Sequence, residues 1–181
     1  YLIAQTVQTR LNLEMADTDE MRRIAREVGP ATVTLVPEKR EERTTEGGLD
    51  VVSHRDVLAP HIEELKAAGI AVSLFVDPVR YQIAACREVG ADIIELHTGD
   101  YAAAKTPRER DTELELLRDA ADLGHDLDLI VVAGHGLDYT NVTPVARLKY
   151  IEELNIGHAI IARAIFTGLD RAVRDMLALM R

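Results

Sequence analysis

The chain contains no tryptophan, and aromatic residues make up only 4% of its 181 residues. Its core therefore has to be built mainly from valine, isoleucine, leucine and alanine, and hydrophobic residues of all kinds reach 47%. This composition is typical of buried parallel strands covered by helices. The length and the hydrophobic content together predict a single domain over residues 1–181.

Cysteine and long hydrophobic runs are also lacking. Cys86 is the only cysteine, so no disulfide can form within the chain, and we expect a reducing, cytoplasmic location. The longest apolar runs, such as residues 127–133, are far shorter than the roughly 20 residues that cross a bilayer. The opening residues do not resemble a secretory signal peptide, and we expect neither export nor a membrane partner.

Positive charge is outweighed by negative charge. The 21 Lys and Arg residues stand against 31 Asp and Glu residues, which gives a formal net charge of −10. Because so negative a surface repels nucleic acid and anionic lipid, we expect no nucleic-acid partner. An anionic substrate would need a local site of positive potential within this background.

Apolar, β-rich runs alternate with helical patterns along the whole chain. Several glycines stand between a helical pattern and the next apolar run, as residues that end a helix do. Six strands are predicted, at residues 11–15, 32–36, 71–76, 92–96, 128–133 and 155–161. Strict alternation of strand and helix implies parallel strands joined by right-handed crossovers. The fold class is therefore α/β.

Two architectures fit six parallel strands. An open doubly wound sheet needs only these six, whereas a (β/α)₈ TIM barrel needs two more β/α units and typically ~250 residues. Residues 1–10 have the pattern of a helix end without its beginning, which favours a barrel that lacks its first units. The positions of the ionisable residues favour a barrel as well.

Nearly every predicted strand carries ionisable side chains at or near its carboxyl end. In barrel enzymes the catalytic residues come from these ends, and an isolated charge inside an apolar strand needs a partner or a task. Structural explanations stay open, because Glu14 could form a structural ion pair and Asp77, before Pro78, is better interpreted as a helix cap. The candidates are Glu14, Asp77, Glu95, His97, His135 and His158.

Glycine and histidine adjoin at the ends of the last two predicted strands. Gly134 and Gly136 flank His135, and Gly157 precedes His158. Glycines let the backbone approach a phosphate closely, and barrels often bind phosphate after their last two strands. This arrangement predicts a phosphorylated substrate with a histidine acid or base beside it. No metal is expected, with Glu14, Glu95 and His135 as the minor alternative ligand set.

Seven segments in family order resemble the pyridoxine 5′-phosphate synthase family. They are LNLEMA (11–16), LVPEKR (35–40), TTEGGLD (44–50), VSLF (72–75), ELHTG (95–99), AGHGL (133–137) and ELNIGHAII (153–161). The resemblance implies a (β/α)₈ barrel, of which this chain holds the third to eighth strands, assembled as an octamer. It also implies condensation of 3-amino-2-oxopropyl phosphate with 1-deoxy-D-xylulose 5-phosphate, without metal or organic cofactor.

The resemblance also implies residue roles. Glu14 matches a catalytic acid/base carboxylate, His135 matches the proton donor, and Glu95 matches the carboxylate that stabilises charged intermediates. The implied substrate contacts are Thr44, Gly136, Gly157 and His158.

The chain also departs from the family pattern. The Asn-x-Asp-His and His-x-Arg segments of the first two family strands are not found in it, and Val132 stands where a relative has a polar residue. Two other interpretations therefore stay open. One is a non-catalytic fragment that only binds phosphate or packs in an oligomer. The other is a different phosphosugar-binding aldolase or isomerase, for which Lys39 is the only lysine next to a strand end.

Overall fold

The computed structural model describes residues 1–38 and 47–181. The strands are β1 (Asn12–Met15), β2 (Thr32–Leu35), β3 (Ala71–Val76), β4 (Ile93–His97), β5 (Ile130–Gly134) and β6 (Ile151–Asn155). The helices are α1 (Leu2–Thr6), α2 (Asp19–Val28), α3 (Arg55–Ala67), α4 (Arg80–Glu88), α5 (Gly99–Ala103), α6 (Pro107–Asp126), α7 (Val142–Ala146), α8 (His158–Thr167) and α9 (Leu169–Leu179).

The six strands form one parallel sheet in the order β1-β2-β3-β4-β5-β6, so each strand pairs with its sequence neighbours. A doubly wound sheet reverses its strand order at a switch point, and this sheet does not. The open-sheet alternative is therefore wrong.

The sheet curls toward closure as a partial barrel. Side chains from all six strands line one interior cavity. Arg10, just before β1, also forms an ion pair of 2.9 Å with Glu153 of β6, although these strands are the two ends of the sheet. A flat sheet of six strands would hold its two edges far apart.

The two faces of the sheet differ in polarity. The outward face carries apolar residues such as Val72, Ile94 and Val131, which are buried beneath the helices. The inward face carries Thr34 and Ser73 among others. Successive strand residues point to opposite faces, so this alternation sets which side chains can reach the barrel interior.

Local signals explain some of the helix bounds. Thr106 caps α6, with its hydroxyl accepting from the backbone N–H of Glu109, whose carboxylate accepts in return from the backbone N–H of Thr106. Gly29 ends α2 in the left-handed conformation at φ 61°. Cys86 is buried in the core. None of the helices in the described ranges is both long enough and apolar enough to cross a membrane.

The sixth predicted strand, 155–161, is wrong in position. The strand lies earlier, at Ile151–Asn155, and residues 158–167 form α8. A bulge between Val131 and Val132 adjusts the pairing, so that Val132 stands opposite Glu153. The β-branched residues after Gly157 therefore lie at the start of α8. The acidic stretch before Gly157 forms the strand instead, because it pairs with β5.

Candidate active site

A cavity of about 1090 Å³ opens at the carboxyl ends of the strands. Parallel strands deliver their carboxyl ends to one rim, which explains why residues far apart in sequence meet there. Six of the seven residues predicted for the site line this cavity: Glu14, Glu95, His135, Gly136, Gly157 and His158. The seventh, Thr44, lies outside the described residues, as does Lys39.

Glu95 is the buried carboxylate of the site, with only 3% of its surface exposed. Its pKa is raised to about 7, mainly by burial and also by the charges of Glu14 and Glu153, while Asn155 and His97 act in the opposite direction. Within the described part of the chain, Oε2 of Glu95 has no hydrogen-bond partner, nor does Nδ2 of Asn155. A carboxyl group of this kind can hold or release a proton near neutral pH.

Glu14 approaches the same cavity from β1 and is exposed to solvent. Its charge acts on both Glu95 and His135, which shows that the three groups share one electrostatic environment. The site thus combines one buried and one exposed carboxylate.

His135 follows β5 and has an unusual backbone conformation, with φ 79°, and Gly136 after it has φ 77°. A positive φ is costly for a residue with a side chain and persists only where neighbours enforce it. Thr98 does so here: its single hydroxyl proton is shared between the carbonyls of Gly134, at 2.7 Å, and His135, at 2.5 Å. Partial desolvation lowers the pKa of His135, nearby His97 lowers it further, and Glu14 opposes both.

His97 and Asp77 form a second polar pair in the site. Nδ1 of His97 lies 3.1 Å from Oδ1 of Asp77, which is fully buried and also accepts from the backbone N–H of Gly48 at 3.1 Å. The interpretation of Asp77 as a helix cap is wrong, because α4 begins at Arg80 and its N-cap is Val79. The carboxylate is instead buried beside His97, which lines the cavity.

Gly157 and His158 lie at the start of α8, on the rim of the cavity. Both residues are exposed, and Gly157 is the N-cap. The first backbone N–H groups of a helix have no partner within it, so this rim offers donors to an anion.

Sequence reasoning undervalued three neighbours of the predicted residues. Asp77 and His97 are strand-end candidates to which the sequence assigns no catalytic role, and Phe75 is not among the candidates, yet Phe75 packs edge-on against His97, with ring centroids 5.0 Å apart. The strand alternation held a usable signal, because Phe75, Glu95 and His97 occupy inward positions of two paired strands. Among the described residues, no group of three or more His, Cys, Asp and Glu side chains is arranged to hold a metal ion.

Comparison with known protein families identifies the kind of site. The family model of "Pyridoxal phosphate biosynthesis protein PdxJ" matches residues 1–181. This chain belongs to the PdxJ family. Proteins called pyridoxine 5′-phosphate synthase in Citrifermentans bemidjiense and Legionella pneumophila are 58% and 52% identical to it over 180 residues each. These matches cover 99% of this chain and 75% and 73% of the two relatives.

Solved structures of low sequence identity place the fold among TIM-barrel-like proteins. The tryptophan synthase A-subunit of Pyrococcus furiosus superposes with a TM-score of 0.65 at 16% identity, covering 96% of this chain and 69% of that one. A native KDPGal structure gives 0.64 at 9% identity, covering 98% and 74%. At such identities the likeness concerns the fold alone.

Proposed function

We propose that this PdxJ-family chain has pyridoxine 5′-phosphate synthase activity, condensing 3-amino-2-oxopropyl phosphate with 1-deoxy-D-xylulose 5-phosphate. The observation that carries the proposal is the meeting of Glu14, Glu95 and His135 in one cavity. The products are pyridoxine 5′-phosphate, phosphate and water. The relatives that share more than half of their aligned residues with this chain bear the name of this activity.

The chemistry of ring closure suits these groups. Imine formation, phosphate elimination and dehydration each move a proton, so the site needs groups that change protonation near pH 7. Glu95, with its pKa raised to about 7, can donate and accept, and it can stabilise a cationic intermediate when ionised. Glu14 and His135 approach from other strands and are proposed to carry the remaining proton transfers.

The rim around Gly157 is proposed to hold a phosphate group. The start of α8 presents backbone donors there, and Gly136 adds a second close approach of backbone to the cavity. Gly136, Gly157 and His158 are the proposed contacts among the described residues, and Thr44 is proposed as a further one. No metal or organic cofactor enters this proposal.

The architecture is proposed to be an eight-unit barrel, to which this chain contributes the third to eighth strands, in a homo-octamer in the cytoplasm. Within the described ranges, β1 and β6 each pair with a neighbour on one side only. Apolar residues of α8 are exposed as well, with Ile165 at 77% and Phe166 at 89%. Further β/α units or partner subunits would bury these surfaces.

The test is a turnover assay with both phosphorylated substrates, in which pyridoxine 5′-phosphate and released phosphate are quantified. Glu14→Gln and His135→Gln each lose about 10²- to 10⁴-fold in kcat, because each removes a general acid or base. The matched controls Glu115→Gln and His125→Gln carry the same substitutions on exposed residues of α6 and keep the original rate. Original rates in either site variant would contradict the assigned roles, and no product from the unmodified chain would contradict the function.

A further inference from the structure

Two histidines of the site lie against each other. The ring centroids of His97 and His135 are 5.1 Å apart, and Phe75 packs edge-on against both, at 5.0 Å from His97 and 6.4 Å from His135. A proton on one imidazole raises the cost of placing a proton on the other at this distance. The two rings therefore compete for one proton.

The ring of His97 is fixed on several sides. Nδ1 faces the buried carboxylate of Asp77 at 3.1 Å, and Asp77 is itself held by the backbone N–H of Gly48. Gly47 and Gly99 lie against the ring, and a methyl group added at Gly99 would collide with its Nε2 and Cε1 atoms. The absence of a side chain at position 99 is thus what allows the ring to lie where it does.

The ring of His135 has a different environment. Within the described ranges no hydrogen bond reaches its imidazole, and the residue is exposed to the cavity. The other titratable groups that line the main cavity with the two rings are Glu14, Glu95, Asp138 and His158. On the other side of His97, a second cavity is lined by Arg80, Tyr81, Asp100, Tyr101 and Glu113. Asp77 is the carboxylate in direct contact with either ring, and its contact is with His97.

We propose that His97, fixed by Asp77, is a positioning residue that carries the proton for which the two imidazoles compete and thereby keeps His135 neutral. A neutral His135 can accept a proton from a bound substrate and return it later in the reaction. The catalytic use of His135 rests on the proposed function, whereas the distribution of the proton between the rings does not. The proposal can therefore be tested on the protein without substrate.

The test is an NMR titration of ¹³C-histidine-labelled protein, with the His135 signal assigned by its loss in His135→Gln. In His97→Gln, the competing cation is gone and the carboxylate of Asp77 remains. The midpoint of the His135 titration therefore moves to higher pH. The control His125→Gln removes a histidine that stacks on Tyr150 and faces neither ring, and it leaves the His135 midpoint in place.

A double variant separates the two charges and protects the test against misfolding. His97→Gln alone leaves a buried carboxylate next to a neutral side chain, which destabilises the fold, whereas His97→Gln with Asp77→Asn restores a neutral pair. The double variant also moves the His135 midpoint to higher pH, by less than the single variant. If the His135 midpoint shifts in the single variant alone, the effect is due to Asp77. If it moves in neither variant, His97 has only a structural role. Either result overturns the proposal.

Turnover gives an independent readout. If His135 has to be neutral, the acidic limb of the kcat/KM profile follows its titration and moves to higher pH in both variants. A purely structural role of His97 would lower kcat/KM at every pH and leave the position of that limb unchanged, which would also overturn the proposal.

Discussion

The central strands of the sheet and its two edge strands place the same kind of side chain in opposite environments. Glu95 lies on β4, flanked by strands on both sides, and is 3% exposed. Glu14 lies on β1, at the edge of the described sheet, and is exposed to solvent. Both carboxylates line the same cavity, yet only the central one is withdrawn from water.

This difference shows how one sheet can prepare two carboxylates for different tasks. Loss of hydration disfavours the ionised form, which is why the pKa of Glu95 is raised to about 7. A pair of titratable groups in contrasting environments is the usual basis for separate acid and base roles. The central strand β4 therefore supplies a carboxyl group with a raised pKa, and the edge strand β1 supplies a carboxylate that is exposed to solvent.

The largest effect is expected from replacing the central carboxylate. Glu95→Gln keeps the shape of the side chain and removes its proton exchange, so kcat falls about 10²- to 10⁴-fold, equivalent to about 3–5 kcal/mol of barrier. Turnover of both phosphorylated substrates measures the loss. Glu115→Gln on the exposed face of α6 is the control, and a Glu95→Gln rate within a few-fold of the original would remove Glu95 from the proton transfers.

The same variant changes how stability depends on pH. The pKa of Glu95 rises on folding from its ordinary 4.5 to about 7, so its stabilising contribution is complete below pH 4.5 and is lost as pH rises through 7. That interval corresponds to about 3 kcal/mol, and glutamine does not titrate. Relative to the original chain, Glu95→Gln therefore gains about 3 kcal/mol in free energy of unfolding between pH 4.5 and pH 8.

Urea unfolding of both chains across this pH range measures that difference. Other titrating groups are common to the two chains and cancel in the comparison. Glu115→Gln, on an exposed residue of α6, is the matched control. An offset for Glu95→Gln that does not change with pH would mean that the carboxyl group ionises as readily in the folded chain as in the unfolded one.

Alternation of strands and helices could be recognised from the sequence because each parallel strand of the centre is a compact apolar run between turn signals. Strands β1 to β5 lie where they were predicted, with differences of at most two residues at their ends. Strand β6 was misplaced because its sequence, Ile151–Asn155, contains two glutamates and has no core pattern. An edge strand exposed on one face depends on pairing with its neighbour, and single-sequence patterns do not contain that information.

The site shows the same contrast between local and long-range information. Glu95 and His135 were predicted because strand ends deliver side chains to one rim, which follows from the fold class alone. Asp77 was misinterpreted because a carboxylate before proline resembles a helix cap. Its contact with His97 forms only when β3 and β4 pair in the folded chain. The raised pKa of Glu95 was equally beyond sequence reasoning, since it depends on burial among β4, β5 and β6.

A methyl group added to a glycine at the centre of the sheet should destabilise the fold more than one added to a glycine at its edge. Gly134 of β5 is buried, and an added Cβ would collide with Oε1 of Glu95 and approach the carbonyl oxygen of Asn155 to 3.1 Å. Gly134→Ala therefore destabilises the fold by about 1–3 kcal/mol. Gly157→Ala at the edge meets no atom within 4 Å and costs less than about 1 kcal/mol. Thermal and urea unfolding measure both, and equal losses would contradict the difference in packing.

The smallest effect is expected where the two edges meet. Arg10 and Glu153 form their ion pair of 2.9 Å with 77% and 45% of their side chains exposed. Exposed pairs contribute only about 0–1 kcal/mol, because water screens the charges and both side chains lose freedom. Arg10→Met therefore lowers the free energy of unfolding by less than about 1 kcal/mol in urea, close to the control Arg118→Met, and high salt narrows any difference. A loss above about 2 kcal/mol, reproduced by Glu153→Gln and not additive with it, would instead make this contact a main stabiliser of the curled sheet.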